Sequence, residues 1–432
     1  MNDIRIELAG STQSLGQSSH NVIGRAQTPG AEVNARPRNA KKKRLSRYRD
    51  IAFSTLRRLC FGVDRSMNLT HLTFELTNVC NSKCDMCHIW ANKANERILT
   101  TEDIKRIFAD PGFSKLEDVI LTGGEMFMRD DIPEIVSTIW NVNHRVNIFA
   151  STNGILADKI LSDAQQIFDM GIPVFYGVSL DGIGEDHEKR RRVKGNFQSI
   201  DEILIPGLKR LRDQNPDLIK ITVGHCFDEY GATTFESVRS YCDKHGIAFQ
   251  TQMIEDFDWY LPEVKRTRKQ SGWKEIHLVK RGIDGANRVM KKMNHEVDKG
   301  RHAPFFEHVI PTVHHFRLLS MLRGRDIKYE CSSLRNFFFM RYDGAVTPCL
   351  RFSDFEVANL KTSTLSEVGK SKNREEAVTE ILNCNGCLNT WCTDWSMEMN
   401  AMPFHREVGK WFGSKVMRRA SRWFSSTSKT AA

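Results

Sequence analysis

Three cysteines lie within eight positions of one another in LTNVCNSKCDMCHIW, residues 76–90. Cys80, Cys84 and Cys87 have the spacing CxxxCxxC, which supplies one ligand fewer than a tetrahedral structural zinc site takes. An iron–sulfur cube held by three cysteines leaves one iron free to bind a small molecule. The triad therefore indicates a metal centre with an open position, and a zinc knuckle or a set of reduced core thiols is the alternative.

Five further cysteines follow position 330 and form a second candidate metal site. In YECSSLRNFFFMRYDGAVTPC the pair Asp343-Gly344 predicts a hairpin turn, which would bring Cys331 and Cys349 together. The later segment LNCNGCLNTWC has the spacing CxxCxxxxC and contains Cys384, Cys387 and Cys392. Four thiolates in two pairs suit a zinc ribbon equally well, so spacing alone leaves the metal at this site open.

The elements that must position these cysteines repeat a β-α unit. Between residues 71 and 253 six β-rich runs alternate with helical stretches, at 71–77, 117–124, 146–152, 174–182, 219–225 and 247–253. Near-continuous apolar strands with helical connections predict a parallel sheet with right-handed crossovers. The predicted fold class is α/β, a partial (β/α)6 TIM-like barrel with a C-terminal cysteine-rich module. In such barrels the chemistry lies at the carboxyl ends of the strands.

Polar and glycine-containing segments follow those strand ends. In TGGE, Gly123 and Gly124 allow the backbone to approach a ligand closely, and Glu125 offers a carboxylate to a cationic group. The ends of the third and fourth strands carry further hydrogen-bonding or charged groups, namely Ser151, Asn153, Ser179, Asp181, Arg191 and Arg192. These side chains either contact a ligand or form Asx turns and solvated charges at the loop surface.

Together these motifs resemble the radical S-adenosylmethionine (SAM) superfamily over about residues 71–260. The resemblance implies that the three cysteines of the triad hold a [4Fe-4S] cluster whose free iron chelates the amino and carboxylate groups of SAM. It also implies that the cofactor contacts the GGE motif, Met86 and three polar residues, Ser151, Asn153 and Ser179. The position of Met86 is usually aromatic in the superfamily. The cofactor then supplies a 5'-deoxyadenosyl radical that removes a substrate hydrogen.

The C-terminal cysteines resemble the SPASM/twitch extension found on many enzymes of this superfamily. Five cysteines are fewer than the seven of a full SPASM module, so the resemblance implies the shorter twitch form with one auxiliary [4Fe-4S] cluster. The implied ligands are Cys331, Cys349, Cys384 and Cys387. Cys392 either replaces one of them or is a spare buried thiol.

An auxiliary cluster favours net oxidation or cross-linking over isomerisation. The expected function is oxidation of a small or carrier-bound alcohol or sugar-like substrate, with an electron from flavodoxin or ferredoxin. Oxidation also needs a base, and Asp256, Glu255 and Tyr260 at the end of the sixth strand are the candidates. The alternatives are a maturase that modifies ribosomal peptides and, from another class, a zinc-binding interaction protein.

The charge of the 432-residue chain is concentrated near its ends. Residues 36–49 carry eight Lys and Arg and no acid, and residues 405–432 carry seven against one Glu, whereas the whole chain has a net charge of +10. The remainder is therefore acidic overall, which argues against a general nucleic-acid surface. The basic tail has an amphipathic helical pattern, which suits docking on the barrel, contact with an anionic membrane surface or binding of a partner.

The sequence divides into six parts, each with its own composition. We expect a disordered basic arm (1–45), a lead-in helix (46–70), the barrel (71–260), a helical connection (261–330), the twitch-like module (331–400) and the basic tail (401–432). We find no secretory signal and no apolar run of transmembrane length, so a cytoplasmic setting is expected. In that reducing compartment we expect the clustered cysteines to be metal ligands or catalytic thiols rather than disulfides, and three isolated ones to be ordinary buried thiols, Cys60, Cys226 and Cys242.

Overall fold

The computed structural model describes residues 65–87, 89–91, 97–253, 331–352 and 355–383. Six strands follow the predicted positions, namely β1 His71–Glu75, β2 Asp118–Thr122, β3 Asn147–Thr152, β4 Val174–Ser179, β5 Ile219–Phe227 and β6 Ala248–Met253. Each pairs in parallel with the next along the chain. The predicted α/β class with a parallel, partial barrel sheet is confirmed.

Helices connect successive strands. They are α1 Thr101–Phe108, α2 Ile132–Trp140, α3 Ala157–Asp169, α4 Glu185–Arg191, α5 Asn196–Gln198, α6 Ile205–Gln214 and α7 Glu229–His245, and a π-helical segment, Ser199–Leu204, joins α5 to α6. The first helix shows how the sequence sets a boundary, because Thr100 caps it by accepting a hydrogen bond from the Asp103 N–H in a capping box. Its apolar residues Ile104, Ile107 and Phe108 recur at helical spacing and are buried against the sheet.

The cysteine-rich region continues the barrel sheet. Its strands are β7 Phe337–Met340, β8 Ala345–Thr347 and β9 Ala358–Asn359, and they are followed by α8 Leu365–Lys370 and α9 Lys372–Leu382. Within the described residues the sheet has the order β6-β5-β4-β3-β2-β1-β7-β8-β9, with β7 parallel to β1. The hairpin predicted at Asp343-Gly344 is confirmed: β7 and β8 are antiparallel, and Gly344 has a left-handed φ of 85°.

The two faces of the sheet have different surroundings. On the helix side, alternate strand residues such as Leu72, Phe74 and Val119 join helix residues in one large apolar core. We call the opposite side the inner face; it carries a smaller apolar cluster formed by Ile120, Phe337 and Phe339. Glycines and polar residues share this face with the apolar cluster, so the inner face is less uniformly apolar than the helix side.

Several sequence predictions fall outside the described residues. These are the N-terminal arm, the connection at 261–330, the tail, and most of the lead-in helix. Residues 65–70, the described part of the last of these, have no helical structure, so a lead-in helix does not extend to residue 70. None of the described helices combines the length and the apolar character needed to cross a membrane.

Candidate metal centre

The triad loop begins directly after β1, at the carboxyl edge of the sheet. Cys84 is buried, and Cys80 and Cys87 are partly buried. Ser82 contacts two of the sulfur atoms: its N–H donates to Cys80 Sγ at 3.5 Å, and its Oγ lies 3.0 Å from Cys84 Sγ. Arg191 Nη1 also donates to Cys84 Sγ, at 3.6 Å. Hydrogen-bond donors to cysteine sulfur tune an iron–sulfur cluster, so this loop fits the chemistry of such a group.

Two of the thiols, those of Cys80 and Cys87, have raised pKa values and are not ionised on their own at neutral pH. Burial raises the pKa of Cys80 and of Cys87 to about 11 each. A bound metal removes such protons outright, and cluster insertion therefore releases protons from this loop. Across the described residues, no three His, Cys, Asp or Glu side chains converge to share a single metal ion. A cube of four irons does not require that convergence, because each cysteine binds a different iron.

The two glycines of the GGE motif hold the triad loop against the end of β2. A Cβ on Gly124 would lie 1.9 Å from the carbonyl oxygen of Val79, and one on Gly123, where φ is +138°, would lie 2.4 Å from that of Thr77. Backbone hydrogen bonds use this closeness, since Gly124 N donates to Thr77 O at 2.7 Å and Glu125 N donates to Val79 O at 2.8 Å. The pair therefore sets the position of the chain leading into Cys80.

Glu125 is a buried carboxylate that ties β2 to the end of β3. It accepts hydrogen bonds from Thr152 Oγ1 at 3.0 Å, the Asn153 N–H at 2.7 Å and the Phe127 N–H at 3.3 Å. Burial raises the pKa of Glu125 to about 7, although these donors act in the opposite direction. Its predicted contact with the amino group of SAM stays a prediction, and the contacts among protein atoms give it a structural role as well.

Asn153 forms the Asx turn that the sequence allowed and also lies where it could contact a ligand. Its Oδ1 accepts from the Ile155 N–H at 3.0 Å, which is the Asx turn that closes β3. Its Nδ2 donates to Asn81 Oδ1 at 2.7 Å and approaches Cys80 Sγ at 3.8 Å. This side chain therefore lies beside the triad and can both shape the loop and contact a group bound there.

The other predicted SAM contacts occupy the same edge of the sheet. Met86 is buried within the triad loop, Ser151 is exposed near the end of β3, and Ser179 is partly buried as the last residue of β4. Neither serine hydroxyl hydrogen-bonds to another described residue. Their roles in binding the cofactor stay predictions.

Arg191 meets a carboxylate, and that carboxylate is Asp181. Their Nη2 and Oδ2 atoms are 2.6 Å apart and both side chains are buried, whereas Arg192 is exposed. Burial would raise the pKa of Asp181, but the Arg191 charge, with smaller contributions from other groups, holds it below its usual value. Because Arg191 also contacts Cys84, the pair connects the end of β4 to the triad loop.

Sequence reasoning missed a buried network behind Asn153. His187 Nδ1 accepts from the Asp181 N–H at 3.1 Å, and its Nε2 lies 2.9 Å from Asn196 Oδ1. Asn196 Nδ2 in turn donates to the Asn153 carbonyl at 3.0 Å. Burial lowers the pKa of His187 to about 4, so the ring is neutral and orients its neighbours. His187 lies in the charged run HEKRRR, and nothing in the spacing of that run distinguishes it.

The cysteines outside the triad fall into two groups. Cys331 and Cys349 both contact the inner apolar cluster, and Ser333 Oγ donates to the Pro348 carbonyl between them, so the hairpin does bring these thiols to one region. Of the isolated thiols, Cys242 is buried and Cys226 is partly exposed at the end of β5. The remaining predicted ligands and bases, Cys384, Cys387, Cys392, Glu255, Asp256 and Tyr260, lie outside the described residues, as does Cys60.

Comparison with known proteins supports this reading of the barrel. Residues 74–226 match the model of the Radical SAM superfamily. Fe-coproporphyrin III synthase of Methanosarcina barkeri is 34% identical over 129 residues, which is 30% of this chain and 31% of that protein. A "Probable GTP 3',8-cyclase" of Methanococcus maripaludis is 25% identical over 288 residues, 66% of this chain and 86% of that protein.

Solved structures show the same fold. A tagged form of anSMEcpe with bound AdoMet has a TM-score of 0.54 at 15% identity, and the match covers 79% of this chain and 98% of that one. "Native anSMEcpe with bound AdoMet and Cp18Cys peptide" has a TM-score of 0.53 at 16% identity, with the same coverage. The match over residues 74–226 supports a radical SAM domain in the barrel, and the cofactors of that family are a [4Fe-4S] cluster and SAM. The family match ends before the C-terminal cysteines, so their twitch-like assignment stays a prediction.

Proposed function

We propose that this protein is a radical SAM enzyme that oxidises a small or carrier-bound alcohol or sugar-like substrate. In this proposal Cys80, Cys84 and Cys87 hold the [4Fe-4S] cluster that binds and reductively cleaves SAM. When bound, the two cofactors supply the 5'-deoxyadenosyl radical that takes a hydrogen atom from the substrate. An electron from a low-potential flavodoxin or ferredoxin starts each turnover.

The surroundings of the triad carry the proposal. Three cysteines follow the first strand of a parallel barrel sheet, and Ser82, Asn153 and Arg191 contact the sulfur atoms of two of them, Cys80 and Cys84. Such contacts favour the thiolate form that a cluster needs and stabilise the charge that its reduction adds. The family match over residues 74–226 supports the same reading of the triad and disfavours a zinc knuckle there.

The protein's own residues orient the site. Glu125, Asn153 and the His187 network join the ends of β2, β3 and β4 behind the loop, so the loop is held by contacts with three strands or their connections. We propose that Met86 and the two serines, Ser151 and Ser179, contact SAM from this edge. Rigid support of this kind keeps reacting groups aligned, because a displacement of about 1 Å can reduce the rate roughly 100-fold.

An auxiliary centre on the hairpin would make the reaction an oxidation. Cys331 and Cys349 contact the inner face of the sheet through Ile120, Phe337 and Phe339, and β7 pairs directly with β1. We propose that these two thiols and two of Cys384, Cys387 and Cys392 bind a second [4Fe-4S] cluster that accepts an electron from the substrate.

A small substrate is favoured over a peptide. The two relatives above are named for reactions of small molecules, a porphyrin and GTP, and one of them aligns with two thirds of this chain. The likeness to the peptide-bound solved structure is at 16% identity and concerns the fold. We therefore place peptide modification second.

Substitution at the triad tests the first part of the proposal. In anaerobically reconstituted protein, Cys84→Ala should abolish formation of 5'-deoxyadenosine from SAM and dithionite. Cys242→Ala is the matched control, since Cys242 is a buried cysteine on α7 that does not belong to the triad. Continued 5'-deoxyadenosine formation by Cys84→Ala would refute the assignment.

Metal analysis tests the second part. Under the two-cluster proposal the wild type contains about eight iron and eight sulfide per chain, and Cys331→Ser loses about half of both while SAM cleavage continues. Unchanged iron in Cys331→Ser would refute the auxiliary cluster. Zinc in place of iron at the C-terminal site would support a zinc ribbon.

A further inference from the structure

Glu75 is a buried acid on the inner face of the barrel that the cofactor site does not use. Phe74 of β1 and Leu76, the residue after the strand, belong to the helix-side core, so the alternation along the chain turns Glu75 to the opposite face. In the parallel register it is level with Thr122 of β2. One layer further towards the amino ends of the strands, Ile120 belongs to the inner cluster that contacts Cys331 and Cys349.

Glu75 therefore lies between the two groups of cysteines. The chain reaches Cys80 five residues after Glu75, at the carboxyl edge of the sheet, and the C-terminal thiols contact the apolar cluster on the other side of it. A substrate on this part of the inner face would have the first centre on one side and the second centre on the other.

The Glu75 side chain is only 9% exposed, and no hydrogen bond joins its carboxylate to another described residue. Burial raises the pKa of Glu75 to about 7, the Arg341 charge acts against this rise, and Asp343 adds to it. Both charged neighbours lie on the β7–β8 hairpin, and β2 contributes the uncharged Thr122.

Small residues occur on the inner face at this layer and at the next one. Ser151 of β3 is level with Gly177 of β4, and one layer further towards the carboxyl ends Ser179 is level with Gly224 of β5. Among the described residues, a Cβ on Gly224 would meet no atom within 4 Å, and one on Gly177 would meet none closer than 3.8 Å. The described part of the inner face is therefore uncrowded at these glycines and bears serine hydroxyls.

We infer that Glu75 binds the hydroxyl group of the substrate and accepts its proton during oxidation, an inference that rests on the proposed function. The substrate alcohol loses its carbon-bound hydrogen atom to the 5'-deoxyadenosyl radical, its hydroxyl proton to the Glu75 carboxylate and one electron to an iron–sulfur acceptor. A carbonyl group is the product. The substrate class is a neutral alcohol at the reacting position, because an anion there would be repelled by Glu75.

A titration that needs neither cofactor nor substrate tests the first half of this inference. Infrared difference spectra between wild type and Glu75→Gln, recorded from pH 4 to pH 9, should show one carboxyl group that ionises near pH 7. In Arg341→Ala this midpoint should move to higher pH, because the charge that favours the ionised form is gone. Ionisation near 4.5 would overturn the inference, since the carboxyl would then be an ordinary solvated acid.

Turnover tests the second half, with cyclitols and aminocyclitols deuterated at their carbinol carbons as probes. For Glu75→Gln we expect deuterium to appear in 5'-deoxyadenosine while the yield of ketone falls about 100-fold, the scale of a lost general base. Glu75→Asp should restore part of the ketone yield. Glu134→Gln is the control, because it also removes one carboxylate but at an exposed position on α2.

The two failures are distinguishable. A Glu75→Gln protein that forms ketone at half the wild-type rate or more would overturn the role of Glu75 and leave the radical SAM assignment intact. A wild-type protein that makes no 5'-deoxyadenosine would count against the proposed function. The infrared titration still decides in that case whether Glu75 is the acid described.

Discussion

Replacing Gly124 by alanine should displace the triad loop. The added Cβ would lie 1.9 Å from Val79 O and 2.4 Å from the Val79 carbonyl carbon, whereas ordinary contacts begin near 3.4 Å. One of two backbone segments must retreat by about 1.5 Å, because neither contact involves a flexible side chain. The hydrogen bond from Glu125 N to Val79 O, now 2.8 Å long, would be lost.

Two effects follow, and they differ in size. Loss of the hydrogen bond and the local strain should lower the free energy of unfolding by about 1–3 kcal/mol. The effect on the metal centre should be larger, since a shift of about 1 Å in the chain next to Cys80 misplaces a cluster ligand. We therefore expect Gly124→Ala to fold but to hold little iron.

The assay is iron and sulfide content after anaerobic reconstitution, together with urea unfolding of the metal-free protein. Gly224→Ala is the matched control, because its new methyl group meets no atom of a described residue within 4 Å and its backbone has no left-handed φ. Full iron content in Gly124→Ala with a wild-type unfolding midpoint would refute the argument that backbone contact with the GGE segment positions the triad.

Two further predictions concern buried charges. Since the pKa of Glu75 is raised by burial from 4.5 to about 7, the folded state loses stability as pH rises from about 4.5 to 7, and Glu75→Gln should gain up to roughly 3 kcal/mol over wild type at pH 8. Urea unfolding of both proteins at pH 4.5 and at pH 8 checks this. An equal gain in the free energy of unfolding at the two pH values would contradict it. Arg191→Met should lower the free energy of unfolding by about 3–5 kcal/mol, because Asp181 would remain buried without its cation. Urea unfolding of the single variant and of the double variant with Asp181→Leu measures the coupling, and equal losses in both would contradict the ion-pair argument.

Local sequence signals identified the sheet and the triad. The apolar runs between β1 and β6 were correct as parallel strands because alternation and length report burial directly, without knowledge of the partners. The turn at Asp343-Gly344 was likewise correct, since a left-handed φ there needs glycine whatever surrounds it. The CxxxCxxC spacing correctly predicted three thiols on one loop, because residues three or four positions apart lie on the same short segment.

The contacts of Arg191 could not be predicted from the spacing of residues in the sequence. In the run HEKRRR it reads as one of several charges, and its neighbour Arg192 is indeed exposed. Only the packing of α4 against the triad loop selects Arg191 to meet Asp181 and Cys84. The contact with Cys84 joins residues 107 positions apart, and a pairing at that separation has no local signature.

The sequence alone determined which strands form, where they end and which cysteines share a loop, because these depend on neighbours a few positions away. Tertiary structure decided that β7 extends the barrel sheet beside β1, which places Cys331 and Cys349 against its inner face. It also decided that Glu75 is a buried acid with a raised pKa, because desolvation depends on everything that surrounds a group in space.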